Sequence, residues 1–452
     1  MKVPFNVVFL IIVLIFGSCL GNLSQTALNA MFSGIASDFF IDVSSGQWVT
    51  TIYMLVLGIT VPSVTFLMKR FAKKTVVLAA LVLLFFGSTL DIFAWDFYSL
   101  IAGRVMQAVS AGITMPMMMS EIMTSFPRDK QATVMGIAGI AMGFAPNIGP
   151  TIGGWMIGVA GWRSFFFALS IAALLLVALA ALFIKNVPAI NRRAKFETPS
   201  FILSALGFGG LLLGFSNASS YHLSSPFVWI PVVVGAIVLA LFVRRQKRIK
   251  HPLINLSIFS SRRFTVSFWA GNFLFASFMG VTLILPLFIE NQWGGTALDA
   301  GLALLPGTFA AFFINPLAGF LTDKIGARPV VVTASVFLLV GAASMMFIDE
   351  TTPFWLIVLM QGIRATGVSG LISPLTSWGM GNLSHEVMTD ASSFSTATRQ
   401  ACASMGTALM VFMVSFAPEI GMTSLIGYQL AFAVSALFSL LMFLSAVLWV
   451  RR

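Results

Sequence analysis

The sequence predicts an all-α polytopic membrane protein with fourteen transmembrane helices. Of its 452 residues, 58% are hydrophobic and 9% are charged, and the mean hydropathy is +0.97. No soluble fold can bury so much apolar surface. The apolar runs are continuous and do not alternate with polar residues, which excludes an outer-membrane β-barrel. The third observation is the placement of charge, because Lys and Arg concentrate in every second connection between helices.

Apolar windows of about 20 residues define the predicted helices, which we label α1 to α14 in chain order. The first seven are α1 (Phe5–Ala36), α2 (Trp48–Met68), α3 (Thr75–Ala94), α4 (Tyr98–Met123), α5 (Thr133–Val159), α6 (Ser164–Ile184) and α7 (Pro199–Asn217). The other seven are α8 (Phe227–Val243), α9 (Phe264–Ile289), α10 (Ala297–Leu321), α11 (Pro329–Ile348), α12 (Phe354–Met380), α13 (Val387–Phe416) and α14 (Leu425–Val450).

The basic residues predict the orientation of these helices. All 26 Lys and Arg residues except Arg104, Arg163, Arg364 and Arg399 lie in segments that are cytoplasmic if the N-terminus is cytoplasmic. This distribution follows the positive-inside rule, and the even number of helices then places both termini in the cytoplasm. The net charge of +11 is explained by topology, so it does not indicate nucleic-acid binding.

The N-terminal apolar run has two interpretations. Its Phe16-Gly17-Ser18-Cys19 stretch resembles a lipoprotein signal, but the run continues well past Cys19, so we predict a first membrane helix. The second cysteine, Cys402, also lies in an apolar segment. Two such cysteines predict neither a disulfide framework nor a zinc site.

The chain repeats itself. Phe66–Arg70 after α2 matches Phe320–Lys324 after α10, and Arg104 and Arg364 are each followed by a proline in the same helix. This repeat predicts a six-helix bundle over 1–187, a linker with two additional helices over 188–261, and a second six-helix bundle over 262–452. A substrate site between two such bundles is typical of transporters built from repeats. We expect α7 and α8 to contribute no side chain to that cavity.

A string of small residues in α5, GFAPNIGPTIGG from Gly143 to Gly154, is unusual for a membrane helix. One interpretation is a kinked, closely packed helix with no further role, because small residues let membrane helices approach each other. The string also resembles the motif shared by exporters of the major facilitator superfamily. The matching positions are Pro146, Gly149, Pro150, Gly153 and Gly154.

Further motifs extend the resemblance over nearly the whole chain, which is similar to the fourteen-helix drug:proton antiporters of that superfamily, the EmrB/QacA-like branch. Arg104 to Gln107 resembles the family motif of the fourth helix, whose arginine is implicated in proton coupling. GFLTDKIGAR resembles the signature of a loop that gates the inner side. Its motif positions are Gly319, Asp323, Gly326 and Arg328. The resemblance implies the major facilitator fold, alternating access and export of drugs against protons.

Three departures from the family pattern bear on mechanism. The gating loop of the first half has Thr65, Lys69 and Ala72 where the family usually has glycine, aspartate and glycine. In α1, Ser24 replaces an aspartate that is a favoured proton carrier in relatives. The motif of α4 also has Ala108 and Ser110 at positions where glycines are common.

Charges inside the membrane are candidates for function, because each costs about 2.5–3.5 kcal/mol at mid-bilayer even on the mildest scale. The proton-coupling candidates are Asp91, Arg104, Glu121 and Glu290. The run from Val76 to Leu90 is too short to span a bilayer, so α3 must submerge Asp91. We expect Asp91 to pair with Arg104 directly or through one water, either as a static ion pair or as a protonatable switch. Glu121 can alternatively extend to the cytoplasmic headgroups.

Polar and methionine side chains define the candidates for the substrate cavity. Met115 and Met118 share a face of α4 with Arg104, and this stripe faces the cavity, lipid or another helix. Serines and threonines surround Arg399 in α13, which predicts that this helix faces protein or water. The candidates are Ser24, Gln25, Asn29, Gln107, Met115, Met118, Asn272, Arg364 and Arg399. Alternatively, the arginines only donate hydrogen bonds to backbone carbonyls where helices pack together.

These observations predict an exporter of amphipathic, cationic or zwitterionic compounds in the inner or plasma membrane, with protons as the coupling ion and no other cofactor. A physiological lipid or metabolite as cargo and an uncoupled facilitator are the alternatives. An enzyme is disfavoured because no metalloprotease-type motif occurs and His222, His251 and His385 lie in or near loops. A sensor would need a soluble output domain, and a peptide transporter an ExxER signature in α1. We expect a monomer in contact with membrane lipids and no nucleic acid.

Overall fold

The computed structural model describes residues 4–41, 48–188, 195–218, 225–250 and 252–450. The first seven long helices are α1 (Phe5–Ala27), α2 (Trp48–Arg70), α3 (Lys73–Ile92), α4 (Phe97–Ser125), α5 (Gln131–Ala160), α6 (Trp162–Phe183) and α7 (Thr198–Asn217). The other seven are α8 (Pro226–Gln246), α9 (Arg262–Asn291), α10 (Ala297–Ile325), α11 (Ala327–Ser344), α12 (Phe354–Met380), α13 (Met388–Glu419) and α14 (Ser424–Trp449). His222 and His251 lie outside the described residues.

Most of these helices are long and apolar enough to cross a membrane. Thirteen such spans occur among the described residues, and α4 is not one of them. The sequence of α4 includes Arg104, Gln107 and Glu121, which lower its hydropathy although it is among the longer helices. The chain is a multi-pass membrane protein, and the fourteenth crossing and the orientation of the termini stay predictions.

The predicted course of α1 is wrong beyond Ala27. The α-helix ends there, a 3₁₀ turn follows over Leu28–Ala30, and a separate short helix covers Phe32–Phe39. In the turn, i→i+3 hydrogen bonds replace the α-helical pattern, as in the bond from Met31 N to the Leu28 carbonyl. At this point α5 packs closely on α1. A Cβ atom at Gly153 of α5 would overlap the carbonyl group of Ala27.

The helix contacts repeat between the two halves. In the first half, α1 packs on α5, and α3 packs on α4 and α6; in the second half, α9 packs on α13, and α11 packs on α12 and α14. The halves meet mainly where α5 lies along α10 and α12 and where α4 contacts α13. The packing is therefore consistent with two equivalent bundles, although the predicted domain boundaries remain predictions.

The two additional helices pack on each other and on one side of the bundles. Gly210 and Gly235 lie at the α7–α8 crossing, where a Cβ atom on either would come within 3.0 Å of the opposite backbone. Toward the bundles, α7 contacts α2 and α13, and Thr51 hydrogen-bonds Ser216 over 2.7 Å. Most of α8 is exposed and apolar, as expected for a lipid-facing helix. The absence of both helices from the cavity stays a prediction.

The molecule has two chemically different ends. We call the end that bears Lys69–Lys74, the α4–α5 loop and Lys324 the basic end. At the opposite end, Asp38 accepts hydrogen bonds from Trp162 Nε1 at 2.9 Å and Arg163 Nη1 at 2.6 Å. The bond from Trp162, and then that from Arg163, lower the pKa of the Asp38 carboxyl. This cluster ties the short helix after α1 to the start of α6.

Candidate transport site

A polar network around Arg104 occupies the interior of the first bundle. The side chain is fully buried, and its Nη1 donates to Ser24 Oγ at 2.6 Å and to Gln107 Oε1 at 2.5 Å. Its Nη2 donates to the Ser24 carbonyl at 3.1 Å, and its Nε to the Val49 carbonyl at 3.3 Å. The network thus joins α1, α2 and α4 through one guanidinium group.

The expected direct ion pair between Asp91 and Arg104 is not formed within 4.0 Å among the described residues. Gln107 lies between them instead, because its Nε2 donates to Asp91 Oδ2 at 2.8 Å while its Oε1 accepts from Arg104. Asp91 is fully buried, as predicted, and its Oδ1 has no hydrogen-bond partner. A side chain at Gly103 would overlap the Asp91 carboxyl group, so this glycine admits the acid between α3 and α4.

Tyr53 completes the network, and sequence reasoning did not identify it. The Arg104 guanidinium lies 4.3 Å from the centre of the Tyr53 ring, within the range of a cation–π contact. The Tyr53 hydroxyl donates to the Gly21 carbonyl at 2.7 Å. The sequence could have identified Tyr53 because its predicted depth in the membrane matches that of Arg104.

The two other carboxylate candidates differ from Asp91. Glu121 is 2% exposed and pairs with Lys73 at 2.7 Å, so it does not extend into open solvent. Glu290 is exposed at the end of α9. Glu290 falls in the last turn of its helix and is less enclosed than Asp91, and its role in proton coupling stays a prediction.

The second bundle buries two arginines that lack a carboxylate partner among the described residues. Arg364 is fully buried, and its Nε donates to Gln361 Oε1 at 2.9 Å, while Nη1 and Nη2 have no partner. Arg399 is 5% exposed, its Nη2 donates to Thr376 Oγ1 at 3.3 Å, and its Nε has no partner. Its guanidinium lies 5.5 Å from the Phe275 ring centre.

The remaining cavity candidates fall into two groups. Gln25 and Asn272 are buried, and Asn272 Oδ1 lacks a hydrogen-bond partner. Met118 is fully buried in the main apolar core, while Met115 is partly buried against it. The methionine stripe therefore faces protein at Met118. The side chain of Asn29 lies outside the described part of the chain.

The glycines of the exporter motif are contact points between α5 and α1. A Cβ atom at Gly149 would overlap Thr26 Oγ1, and one at Gly153 would overlap the Ala27 carbonyl. Gly154 is different, because its Cβ would only touch Ala30 at 3.9 Å. Pro146 and Pro150 lie inside the helix between and beside these contacts. The motif acts here as a close-packing surface.

Asp323 of the predicted gating loop joins the two bundles at the basic end. Its carboxylate accepts from the backbone N–H groups of Ala132 and Thr133 at 3.1 and 2.7 Å, and from the Thr133 hydroxyl at 2.6 Å. It thereby occupies the N-terminus of α5, where a negative charge is stabilised by unpaired N–H groups.

The other residues of the loop motif have distinct positions. Gly319 lies against the Ala132 carbonyl, and Gly326 adopts a φ of 91° between α10 and α11, a left-handed backbone conformation that favours glycine. Arg328 is exposed. Among the described residues, Asp323 and Gly319 of this motif contact the first bundle directly.

A second connection between the bundles was not predicted. Lys69 Nζ, at the end of α2, lies 3.8 Å from Asp390 Oδ2 in the first turn of α13. The neighbouring Thr389 hydroxyl hydrogen-bonds Ser120 of α4 over 2.8 Å. The departure of Lys69 from the family pattern was the signal in the sequence, but it did not identify Asp390 as the partner.

Comparisons with known proteins agree with this architecture. The chain is 35% identical to the uncharacterised MFS-type transporter YcnB of Bacillus subtilis (strain 168), over 98% of this chain and 94% of that protein. It is 30% identical to the lincomycin resistance protein LmrB of Listeria monocytogenes, over 88% of this chain and 84% of the relative. The structure of the human organic anion transporter MFSD10 (TETRAN) superposes with a TM-score of 0.69 at 14% identity, covering 98% of this chain and 100% of that one. The family model of the Major Facilitator Superfamily matches residues 14–407. The chain belongs to the Major Facilitator Superfamily and is a transporter.

Proposed function

We propose that this protein exports amphipathic compounds across the inner or plasma membrane in exchange for protons. The observation that supports it most is the pair of bundles that meet at the basic end through a few separable polar contacts, at Asp323 and at Lys69. Such contacts can break and re-form as the bundles rock about a central site, which is the requirement of alternating access. Under the positive-inside rule the basic end is cytoplasmic, so these contacts close the cytoplasmic side.

Drug export is supported by the printed name of a relative, the lincomycin resistance protein of Listeria monocytogenes. The cargo expected from the family resemblance is cationic or zwitterionic. Arg364 and Arg399 add a constraint, because buried guanidinium groups without a carboxylate partner disfavour a purely cationic cargo. We therefore favour zwitterionic amphipathic compounds. Export of a physiological lipid or metabolite remains the second candidate, and a facilitator without proton coupling is the third.

Proton coupling in this proposal runs through Asp91 rather than through α1. Ser24 cannot titrate near neutral pH. Asp91 is a submerged carboxylate, and hydrogen bonds connect it to Arg104 through the Gln107 side chain. Rearrangement of Gln107 would change the stabilisation of the ionised acid and so its proton affinity. We propose a monomer that contacts membrane lipids and requires no cofactor other than the proton.

The test is transport by the purified protein in liposomes with an imposed pH gradient and a panel of cationic, zwitterionic and anionic dyes. We expect gradient-driven transport by the natural protein and its loss in Asp91→Asn. Glu290→Gln, an exposed site, serves as the matched control and should retain transport. Glu121→Gln is compared at equal amounts of folded protein, because it removes a partner from Lys73. If Asp91→Asn keeps full gradient-driven transport, Asp91 is not the proton carrier. If transport by the natural protein does not respond to the pH gradient, the protein is a uniporter.

A further inference from the structure

The two connections at the basic end occupy equivalent positions of the internal repeat. Lys69 aligns with Asp323 in the repeated segments after α2 and α10. The helices that receive them, α13 and α5, are also equivalent, and both begin at the same point of the repeat, at Met388 and Gln131. Counting from these starts, Asp390 corresponds to Thr133.

The chemistry of the two connections is opposite in sign. At the α5 connection, the end of α10 contributes the carboxylate of Asp323, and α5 contributes the N–H groups of Ala132 and Thr133 and the Thr133 hydroxyl. At the α13 connection, the end of α2 contributes the ammonium group of Lys69, and α13 contributes the carboxylate of Asp390. A lysine alone would be unfavourable there, because the N-terminus of a helix carries a partial positive charge.

The burial of Asp390 explains why the pair is needed. Its side chain is fully buried in the α2–α13 interface, and neither carboxylate oxygen has a well-formed hydrogen bond. Lys69 is its ion-pair partner among the described residues, and the lysine remains 40% exposed. A buried carboxylate is costly without a cation nearby, so separation of α2 from α13 at this end must break a contact that Asp390 depends on.

We propose that Lys69 and Asp390 form a charge-reversed latch that holds the basic end closed, in place of the carboxylate that the first gating loop lacks. Both are positioning residues for the transport cycle, and they act through the α2–α13 interface. The latch works together with the Asp323–Thr133 connection. This inference extends the proposed function, but the latch itself is defined by the two bundles and not by the cargo.

The experiment replaces the residues of the α13 connection with those of the α5 connection. Lys69→Asp combined with Asp390→Thr gives the first loop and α13 the same residue types as the second loop and α5. We expect each single substitution to reduce the ratio of closed to open molecules about tenfold, equivalent to about 1.4 kcal/mol. The double variant should recover the natural ratio to within about twofold, the scatter expected of coupled sites.

The ratio is measured from distances between spin labels at the basic end. The labels are attached through Arg128→Cys in the first bundle and Ser384→Cys in the second, both exposed sites, in a background with Cys19→Ala and Cys402→Ala. Lys74→Asp is the matched control, because Lys74 bonds the Ala181 carbonyl within the first bundle and the charge change is the same. It should leave the distance distribution unchanged. Lys69→Met provides a neutral variant if a reversed charge prevents folding.

The outcomes separate the latch from the proposed export activity. The latch would be overturned if the single variants keep the natural distances. It would also be overturned if the double variant lowers the ratio of closed to open molecules by as much as the two single effects combined. Dye transport by the same proteins in liposomes is scored independently. A natural protein that closes as described but moves no dye would contradict the export proposal and leave the latch intact.

Discussion

Ser24 Oγ accepts a hydrogen bond of 2.6 Å from Arg104 Nη1 at the α1 position where related exporters usually have an aspartate. The same hydroxyl donates to Gln107 Oε1 at 2.8 Å. A neutral residue thus satisfies the arginine, and the buried carboxylate of the site is Asp91 on α3. Arg104 connects to that acid through the amide group of Gln107.

Removal of this hydroxyl should destabilise the first bundle. We expect Ser24→Ala to cost about 1–3 kcal/mol, because a buried charged donor loses its acceptor. Ser24→Thr, which keeps the hydroxyl, is the control. Thermal unfolding of the detergent-purified variants measures the difference, and equal stability of the alanine and threonine variants would contradict the assigned role.

Arg104 and Arg364 occupy equivalent positions of the repeat, but replacement by methionine should change the thermal stability of the protein differently at the two sites. Arg104→Met removes a buried cation near Asp91 and takes hydrogen-bond donors from Ser24 and Gln107, so we expect a clear loss of thermal stability. Arg364→Met removes a guanidinium whose Nη1 and Nη2 have no partner, so stability should be unchanged or higher. Comparison of the two unfolding temperatures tests this. A larger loss in Arg364→Met would mean that this guanidinium has protein partners that stabilise the fold.

The glycines of α5 should tolerate alanine only away from α1. A methyl group at Gly149 or Gly153 would overlap Thr26 or Ala27, and overpacking of this kind costs about 1–3 kcal/mol. Gly158 is the control and should accept alanine without loss, because a methyl group there would meet no atom within 4 Å. Folded yield and thermal unfolding are the measurements. Tolerance of alanine at Gly153 would show that α1 and α5 are separated more widely.

The α7–α8 pair should weaken in acid. Arg245 Nη2 lies 2.6 Å from Glu197 Oε1, and this hydrogen-bonded pair lowers the pKa of Glu197 from 4.5 to about 2. A depressed carboxyl pKa gives a stabilisation that is complete above about pH 4.5 and is lost as the pH falls toward about 2. Because both side chains are partly exposed, solvent screens the pair and the loss of stability should be small.

Hydrogen exchange at the ends of α7 and α8 measures this effect locally. Protection should fall between about pH 4.5 and about pH 3 in the natural protein after correction for the intrinsic exchange rate. Glu197→Gln should show the lower protection already at neutral pH and little further change in acid. A pH dependence that persists in the glutamine variant would assign the effect to another group.

Local sequence determined the helices, because each long apolar run fixes a membrane span regardless of its neighbours. The apolar window that predicts α4 is also a helix in the structure, although its polar side chains lower its hydropathy. The burial of Asp91 followed from length alone, because the preceding run was too short to span. The break after Ala27 did not, since it depends on how closely α5 approaches.

Tertiary structure decided which polar groups meet. Gln107 could be placed near Arg104 from helical spacing, but its amide connects to Asp91 only because Gly103 lets α3 and α4 come together. Lys69 and Asp390 are far apart in the chain and belong to different bundles, so no local pattern pairs them. A buried charge selects its partner by distance and desolvation in the assembled bundle, and these are properties of the packed helices rather than of any one segment.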